Sequence, residues 1–258
     1  MKTSAERRLL LIGGSAESTV LDFVKLAGGI TASVVILPHA SGVPQEAAEE
    51  ISKALKTIGV RRIRVVMPGK ALRLGRSVHA VWMTGGDQAR LVELLGAGGI
   101  KQLAAFAEAG GLVAGTSAGA AAVGFDIITG GMSDGVMKSG SLTMGAGLAL
   151  LPAVVTDTHF TQRGRFPRLF VAMSELEKRD GKAPVGIGLD EDTAAYIVFS
   201  DGRWVARILG RGSVWFYTAT SNFASNVRGL KDGGMISVRG VDTAALVAGD
   251  EFELNIGV

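Results

Sequence analysis

The sequence predicts an α/β fold: a mostly parallel, doubly wound sheet with helices on both faces and antiparallel strands added toward the C-terminal end. Three observations predict it. The first half alternates short, near-continuous apolar runs with segments of helical period, as parallel strands buried on both faces require. Glycines cluster at the junctions between those runs and the helices rather than in a repeat. From Gly186 onward strand-like runs follow one another directly, with turn residues between them.

Residues 9–12 read as the first strand, and residues 17–27 as a helix with Val20, Phe23, Val24 and Ala27 on one face. A β-branched strand, 33–37, ends at Pro38. Residues 46–58 are helical, with Ala47, Ile51, Ala54, Leu55 and Ile58 aligned. Strands at 63–67 and 80–83 precede helices at 88–95 and 100–109, and 112–114 is the next strand. Residues 124–150, rich in Gly, Ser and Met, read as a loop with short extended pieces. A helix over 167–178 admits Pro167 in its first turn. Strands at 193–199, 204–209 and 213–217 are separated by turns at Asp201-Gly202 and 210–212, an antiparallel addition to the sheet. No repeat or low-complexity linker interrupts the 258 residues, so one domain over 1–258 is expected.

Composition narrows the chemistry. Hydrophobic residues make up 47% and charged residues 20%, which suits a globular core. The chain has no cysteine, so disulfides, thiolate zinc sites and cysteine nucleophiles are excluded together. Neither a metal nor a cofactor is expected. With 27 basic and 24 acidic residues the net charge is only +3. The densest basic patch, Arg61-Arg62-Ile63-Arg64, is a solvated strand entry, and no nucleic-acid partner is expected. Lys2, Arg7 and Arg8 precede an apolar run too short for a signal peptide, and no segment approaches the roughly 20 apolar residues of a membrane span. No membrane partner and a cytoplasmic location are the expectation.

The stretch Gly115-Thr116-Ser117-Ala118-Gly119 fits a nucleophile elbow in the required context of strand, turn and helix. Small neighbours let strand and helix close around a strained serine. The backbone N–H that follows, on Ala118, then faces the oxygen of an attacked carbonyl. A serine needs a base, and the chain has three histidines. His79 precedes its strand, at the wrong end. His39 follows a strand end but sits in the turn-like Pro38-His39-Ala40-Ser41-Gly42. His159, in Asp157-Thr158-His159 after the apolar Ala153-Val154-Val155, is the stronger candidate. Asp190-Glu191-Asp192 offers three acids in a row to orient it, and alternation alone does not choose among them.

Two more stretches join the candidate site. Thr84-Gly85-Gly86-Asp87-Gln88 ends a strand in paired glycines before a helix, a second source of oxyanion donors near Gly86 and Asp87. Arg163, Arg165 and Arg168 stand before and inside the first turn of a helix. Cations are unfavourable at that end of the dipole, which points to a held anion.

Together these residues resemble the cyanophycinases, relatives of the serine dipeptidase peptidase E. The resemblance runs from Leu10-Leu11-Ile12-Gly13-Gly14-Ser15-Ala16-Glu17 to the strands beyond Glu191. Its most specific parts are Gly115–Ala120, the 157–168 stretch with its arginines, and Gly188-Leu189-Asp190-Glu191-Asp192-Thr193-Ala194. It implies a three-layer, flavodoxin-like fold shared with class I glutamine amidotransferases, a homodimer, and a Ser-His-Glu triad of Ser117, His159 and Glu191. It implies oxyanion donors at Ala118 and near Gly86-Asp87, and substrate contacts from Asp157, Thr158, Arg163, Arg165, Arg168 and Thr143. The implied substrate is cyanophycin, a polyaspartate carrying arginine on each β-carboxyl, cut into β-aspartyl-arginine dipeptides. The arginines would read aspartyl carboxylates, with Asp157 facing the substrate guanidinium. Two positions depart from the pattern: Thr158, usually glutamine, and Thr143, where serine is common. They bear on substrate preference, not on hydrolysis, and leave smaller aspartyl or isoaspartyl peptides as an alternative substrate.

Rival classes fit less well. An α/β-hydrolase esterase orders its triad Ser, acid, His, whereas about 100 residues and the best acid follow His159 here. A glutamine amidotransferase needs a cysteine. A dinucleotide site at Gly13-Gly14 lacks G-x-G-x-x-G. A catalytically silent binding homologue would not need all three triad residues.

Overall fold

The computed structural model describes residues 6–131 and 137–256, leaving Lys2 and part of the 124–150 loop outside the described residues. Five parallel strands form the centre: β1 (Arg7–Ile12), β2 (Ser33–Leu37), β3 (Arg62–Val65), β4 (Ala80–Met83) and β5 (Leu112–Thr116). Their side chains alternate between two apolar faces. Leu9, Leu11, Leu37, Val81 and Met83 pack on one side, and Leu10, Ile12, Ile36, Ala80 and Trp82 on the other. Both faces of the inner strands are covered, which is why they read as near-continuous apolar runs; the edge strand β3, with Arg62 and Arg64, is mostly exposed.

Helices α1 (Thr19–Leu26) and α2 (Pro44–Ile58) cover the second face, with Phe23 and Leu55 fully buried. On the first face lies α3 (Gln88–Glu108), which contributes Leu91, Leu103 and Phe106. The two helices expected at 88–95 and 100–109 are one span broken at Gly96, whose φ of 58° and ψ of 175° leave the helical region. The short α4 (Ala118–Ala121) follows β5 directly.

The loop expected over 124–150 contains a hairpin of β6 (Asp126–Gly131) and β7 (Leu142–Ala146). Beyond it come β8 (Val154–Thr158), α5 (Phe166–Asp180) and β9 (Val185–Leu189). The remaining strands are β10 (Thr193–Ser200), β11 (Arg203–Gly210), β12 (Val214–Ser225), β13 (Val238–Leu246) and β14 (Glu251–Leu254).

The main sheet has the order β14-β11-β10-β1-β5-β4-β2-β3, with β10 antiparallel to β1. The antiparallel addition is therefore β10, β11 and β14. The strand expected at 213–217 departs from this: β12 belongs to a second sheet, β13-β12-β9-β8, in which β8 and β9 run parallel. Val214, Phe216 and Ile187 of that sheet join the same core as Leu9 and Leu11, so it packs on the first face beside α3 and α4. Its other face is covered by α5 through Leu169, Ala172, Met173 and Leu176, which meet Val155, Phe160 and Tyr217. Among the described residues no helix is long and apolar enough to cross a membrane.

Candidate active site

The two sheets meet where β1 ends. Three successive carbonyls there hold three separate segments: Ile12 O accepts from Ser117 N at 2.8 Å, Gly13 O from His159 N at 2.7 Å, and Gly14 O from Asp192 N at 2.8 Å. The Gly13-Gly14 pair thus works as a backbone clamp on the segments that carry the serine, the histidine and the acids. A second tie runs from Thr156 Oγ1 on β8 to Ala120 O in α4 at 3.0 Å.

Ser117 sits between β5 and α4 with φ 50° and ψ −112°, a strained conformation outside the broad allowed regions. The turn closes because its neighbours are glycines. A Cβ on Gly115 would lie 2.3 Å from Gly119 C, and one on Gly119 would lie 2.7 Å from Met83 O. His159, just past β8, also has positive φ, at 50°. Strain at a non-glycine residue costs about 1–3 kcal/mol and persists only where packing over-determines it.

The side chains converge. Ser117 Oγ lies 2.8 Å from His159 Nε2, and His159 Nδ1 lies 2.6 Å from Glu191 Oε1. A ring that donates Nδ1–H to the carboxylate leaves the Nε2 lone pair facing the hydroxyl, the tautomer needed to take its proton. The flanking acids are occupied elsewhere. Asp190 is buried and accepts from Thr161 N at 2.9 Å and Ser213 N at 3.1 Å. Asp192 accepts from Ser18 N at 2.7 Å. Gln162 accepts from Glu191 N at 3.2 Å and so steadies the segment.

His39 and His79 stand apart from this constellation. His79 Nδ1 accepts from Ser33 N at 3.1 Å, a structural role beside β2. His39 is buried, its Nδ1 has no partner among the described residues, and burial lowers its pKa from the ordinary histidine value.

Ala118 is buried at the start of α4, so its N–H opens a helix and has no intrahelical acceptor. Gly85 approaches the serine from β4: a Cβ on it would lie 3.3 Å from Ser117 Cβ. Gly86 adjoins it. Asp87 is corrected as an oxyanion donor, because its N–H is given to Ala40 O at 2.9 Å and its carboxylate caps α3 by accepting from Arg90 N at 3.0 Å.

The expected substrate contacts need larger corrections. Asp157 is buried on β8 with both oxygens taken, by Arg165 Nη1 at 2.7 Å and Arg168 Nε at 2.8 Å. The anion that Arg165 and Arg168 hold is therefore the chain's own, and Asp157 is not free to face a substrate guanidinium. Arg168 is buried and also donates to Gly131 O at 3.2 Å. Arg165 gives a further bond to Thr158 O at 2.8 Å, while its Nε has no partner among the described residues. Burial lowers the Arg165 pKa; Asp157 opposes that shift, and Arg168 and Arg163 add to it. The group remains cationic at neutral pH. Arg163 is exposed, with no hydrogen-bond or ion-pair partner for its side chain among the described residues. Thr158 is buried beside Asp157, and Thr143 lies on the β6–β7 hairpin and is not among the residues that line the cleft at Ser117.

That cleft, about 450 Å³, opens before Ser117 and His159 and is walled by Gly14, Ser41, Thr84, Gly85 and one side of α2. Sequence reasoning missed Gly14 as a site residue, along with Thr84, Glu46 and Glu50. The spacing of the two glutamates was visible, but the facing of α2 toward a strand end was not.

Known proteins resemble this chain in sequence and in fold. Cyanophycinase of Trichormus variabilis is 30% identical over 261 residues, covering 95% of this chain and 85% of that protein. Cyanophycinase of Geminocystis herdmanii is 32% identical over 231 residues, covering 83% and 81%. A peptidase from an acI-B1 actinobacterium superposes with a TM-score of 0.61 at 16% identity, over 98% of each chain. A peptidase E-type protein from Listeria monocytogenes gives 0.52 at 21% identity, over 80% of this chain and 100% of its own. These two share the fold. Residues 9–204 match the sequence profile of Peptidase family S51. The chain belongs to peptidase family S51 and is a serine-type peptidase.

Proposed function

We propose that this peptidase cleaves the polyaspartate backbone of cyanophycin into β-aspartyl-arginine dipeptides, with Ser117 as nucleophile, His159 as general base and Glu191 as its orienting acid. The observation that carries the reading is the unbroken hydrogen-bonded run from Ser117 Oγ through the imidazole to Glu191. His159 takes the hydroxyl proton as Ser117 attacks the scissile carbonyl, and Glu191 stabilises the imidazolium. The oxyanion forms against the Ala118 N–H and the glycine backbone at 85–86. His159 returns the proton to the leaving amine, and water activated by the same imidazole clears the acyl-enzyme. Exposed Arg163 and the unpartnered edge of Arg165 are the groups we assign to substrate carboxylates. The family resemblance also supports a cytoplasmic homodimer as the working form.

Incubating the purified protein with insoluble cyanophycin and identifying the released products tests the substrate. β-Aspartyl-arginine released by the wild-type chain but not by Ser117→Ala is the expected result. Release from the variant at the wild-type rate would overturn the nucleophile. Cleavage confined to short isoaspartyl peptides would move the substrate class.

A further inference from the structure

Among the described residues, the ionisable side chains that line the Ser117 cleft, other than His159, are two glutamates of α2. Glu46 and Glu50 stand four residues apart, on the same face of the helix, and both line the cleft. Both are exposed, and neither has a hydrogen-bond or ion-pair partner among the described residues. Their neighbour Glu49 differs, accepting from Gln45 Nε2 at 2.7 Å. Like charges one turn apart repel, so the pair is suited to a counter-cation. Glu46 lies in the first turn, where the helix dipole favours an acid; Glu50 lies a turn further on, where that benefit has faded.

A separate observation also points to a ligand. Thr84, at the end of β4, lines the same cleft, is 3% exposed, and has a hydroxyl with no partner among the described residues. A buried hydroxyl left unpaired is costly unless something else satisfies it. The acid expected to meet a substrate cation, Asp157, is already neutralised by Arg165 and Arg168.

We propose that Glu46 and Glu50 hold a cationic substrate side chain, a guanidinium or an ammonium, while Thr84 hydrogen-bonds a polar group of the same substrate. A guanidinium is the better fit, since its planar fork can span two carboxylates. The two glutamates then set which residue is accepted beside the scissile bond. This specificity role rests on Ser117 being the nucleophile.

The test uses two β-aspartyl oligomers that differ only in carrying arginine or its uncharged isostere citrulline. The wild-type protein is expected to prefer arginine by about 10-fold or more in kcat/KM, as charge-assisted hydrogen bonds warrant. The Glu46→Gln/Glu50→Gln double variant should bring that ratio close to one, mainly through a higher KM for the arginine oligomer. Equal wild-type cleavage of both oligomers overturns the subsite and leaves the nucleophile standing, as does an arginine preference that survives in the double variant. If neither oligomer is cut and a fluorophosphonate probe fails to label Ser117, the hydrolase reading itself fails.

Discussion

Gly14 and His159 compete for one space: a Cβ on Gly14 would lie 2.2 Å from His159 Cε1 and 2.7 Å from each ring nitrogen. The imidazole occupies the place that any other residue at position 14 would fill. Gly14→Ala is therefore expected to displace the base and lower kcat by about 100-fold, the usual consequence of an ångström-scale misplacement. Overpacking should also cost about 1–3 kcal/mol of stability, read from urea unfolding. Gly28→Ala is the control, since it has a comparable positive φ of 104° and nothing within 4 Å of its Cβ. An equal loss of activity in both variants would assign the effect to backbone strain and not to the collision.

Glu191→Gln keeps the size of the side chain and removes its charge. The amide can present either edge to Nδ1, so the productive tautomer is no longer enforced. The expected loss in kcat is on the order of 10²–10⁴-fold, with KM little changed. Stability should move by no more than about 1 kcal/mol, because the carboxylate is 37% exposed and its pairing is screened. Asp190→Asn, by contrast, alters a group that accepts from two backbone amides, and its effect should fall on stability. The reverse pattern, with Asp190 controlling kcat, would show that the wrong acid has been named.

Asp157 is the shared counter-charge of two guanidinium groups whose side chains are 15% and 8% exposed, and is itself 4% exposed. Asp157→Asn leaves those cations without their counter-charge and is expected to destabilise the fold by about 3–5 kcal/mol. Arg163→Gln should change stability by less than about 0.5 kcal/mol, as for other exposed, unpartnered positions. Denaturant midpoints for the two variants check both figures. A mild Asp157→Asn phenotype would return Asp157 to the list of groups available to substrate.

His39 predicts a pH dependence of stability. Burial holds its folded pKa below the unfolded value of about 6.5. Above about pH 6.5 both states are neutral at this residue and its contribution is fully present. As pH falls below that value, the unfolded chain binds a proton that the folded chain refuses. Stability is lost until the folded pKa is passed. Urea midpoints at pH 7 and pH 5 should fall less steeply in His39→Gln than in the wild type. Parallel slopes would show that His39 does not supply the linkage.

Much of this was legible in the sequence, for reasons that differ from residue to residue. The inner parallel strands β2, β4 and β5 declared themselves because burial on both faces leaves few polar positions to confuse them, whereas the edge strand β3 carries Arg62 and Arg64 in the open. Ser117 stood out because its turn tolerates only small neighbours, and His159 because His79 lies at the wrong strand end and His39, though at the right one, sits in a turn-like stretch. The choice among Asp190, Glu191 and Asp192 was not legible. It depends on which backbone amides each neighbour caps, and those amides come from Thr161, Ser213 and Ser18 in distant elements. The arginine cluster misled in a similar way: its charges implied an anion, but only the fold shows that Asp157 already fills that place. Strands β13 and β14 went unpredicted because edge positions such as Arg239, Asp242 and Glu253 interrupt any apolar alternation.

Ser117 and His159, the proposed nucleophile and base, hang from different hydrogen-bonded ladders, joined through the consecutive carbonyls of Ile12, Gly13 and Gly14. A ribosome that has released only the first 150 residues has made the elbow but not its imidazole. The serine stays an ordinary alcohol until the second ladder docks and brings His159 to it.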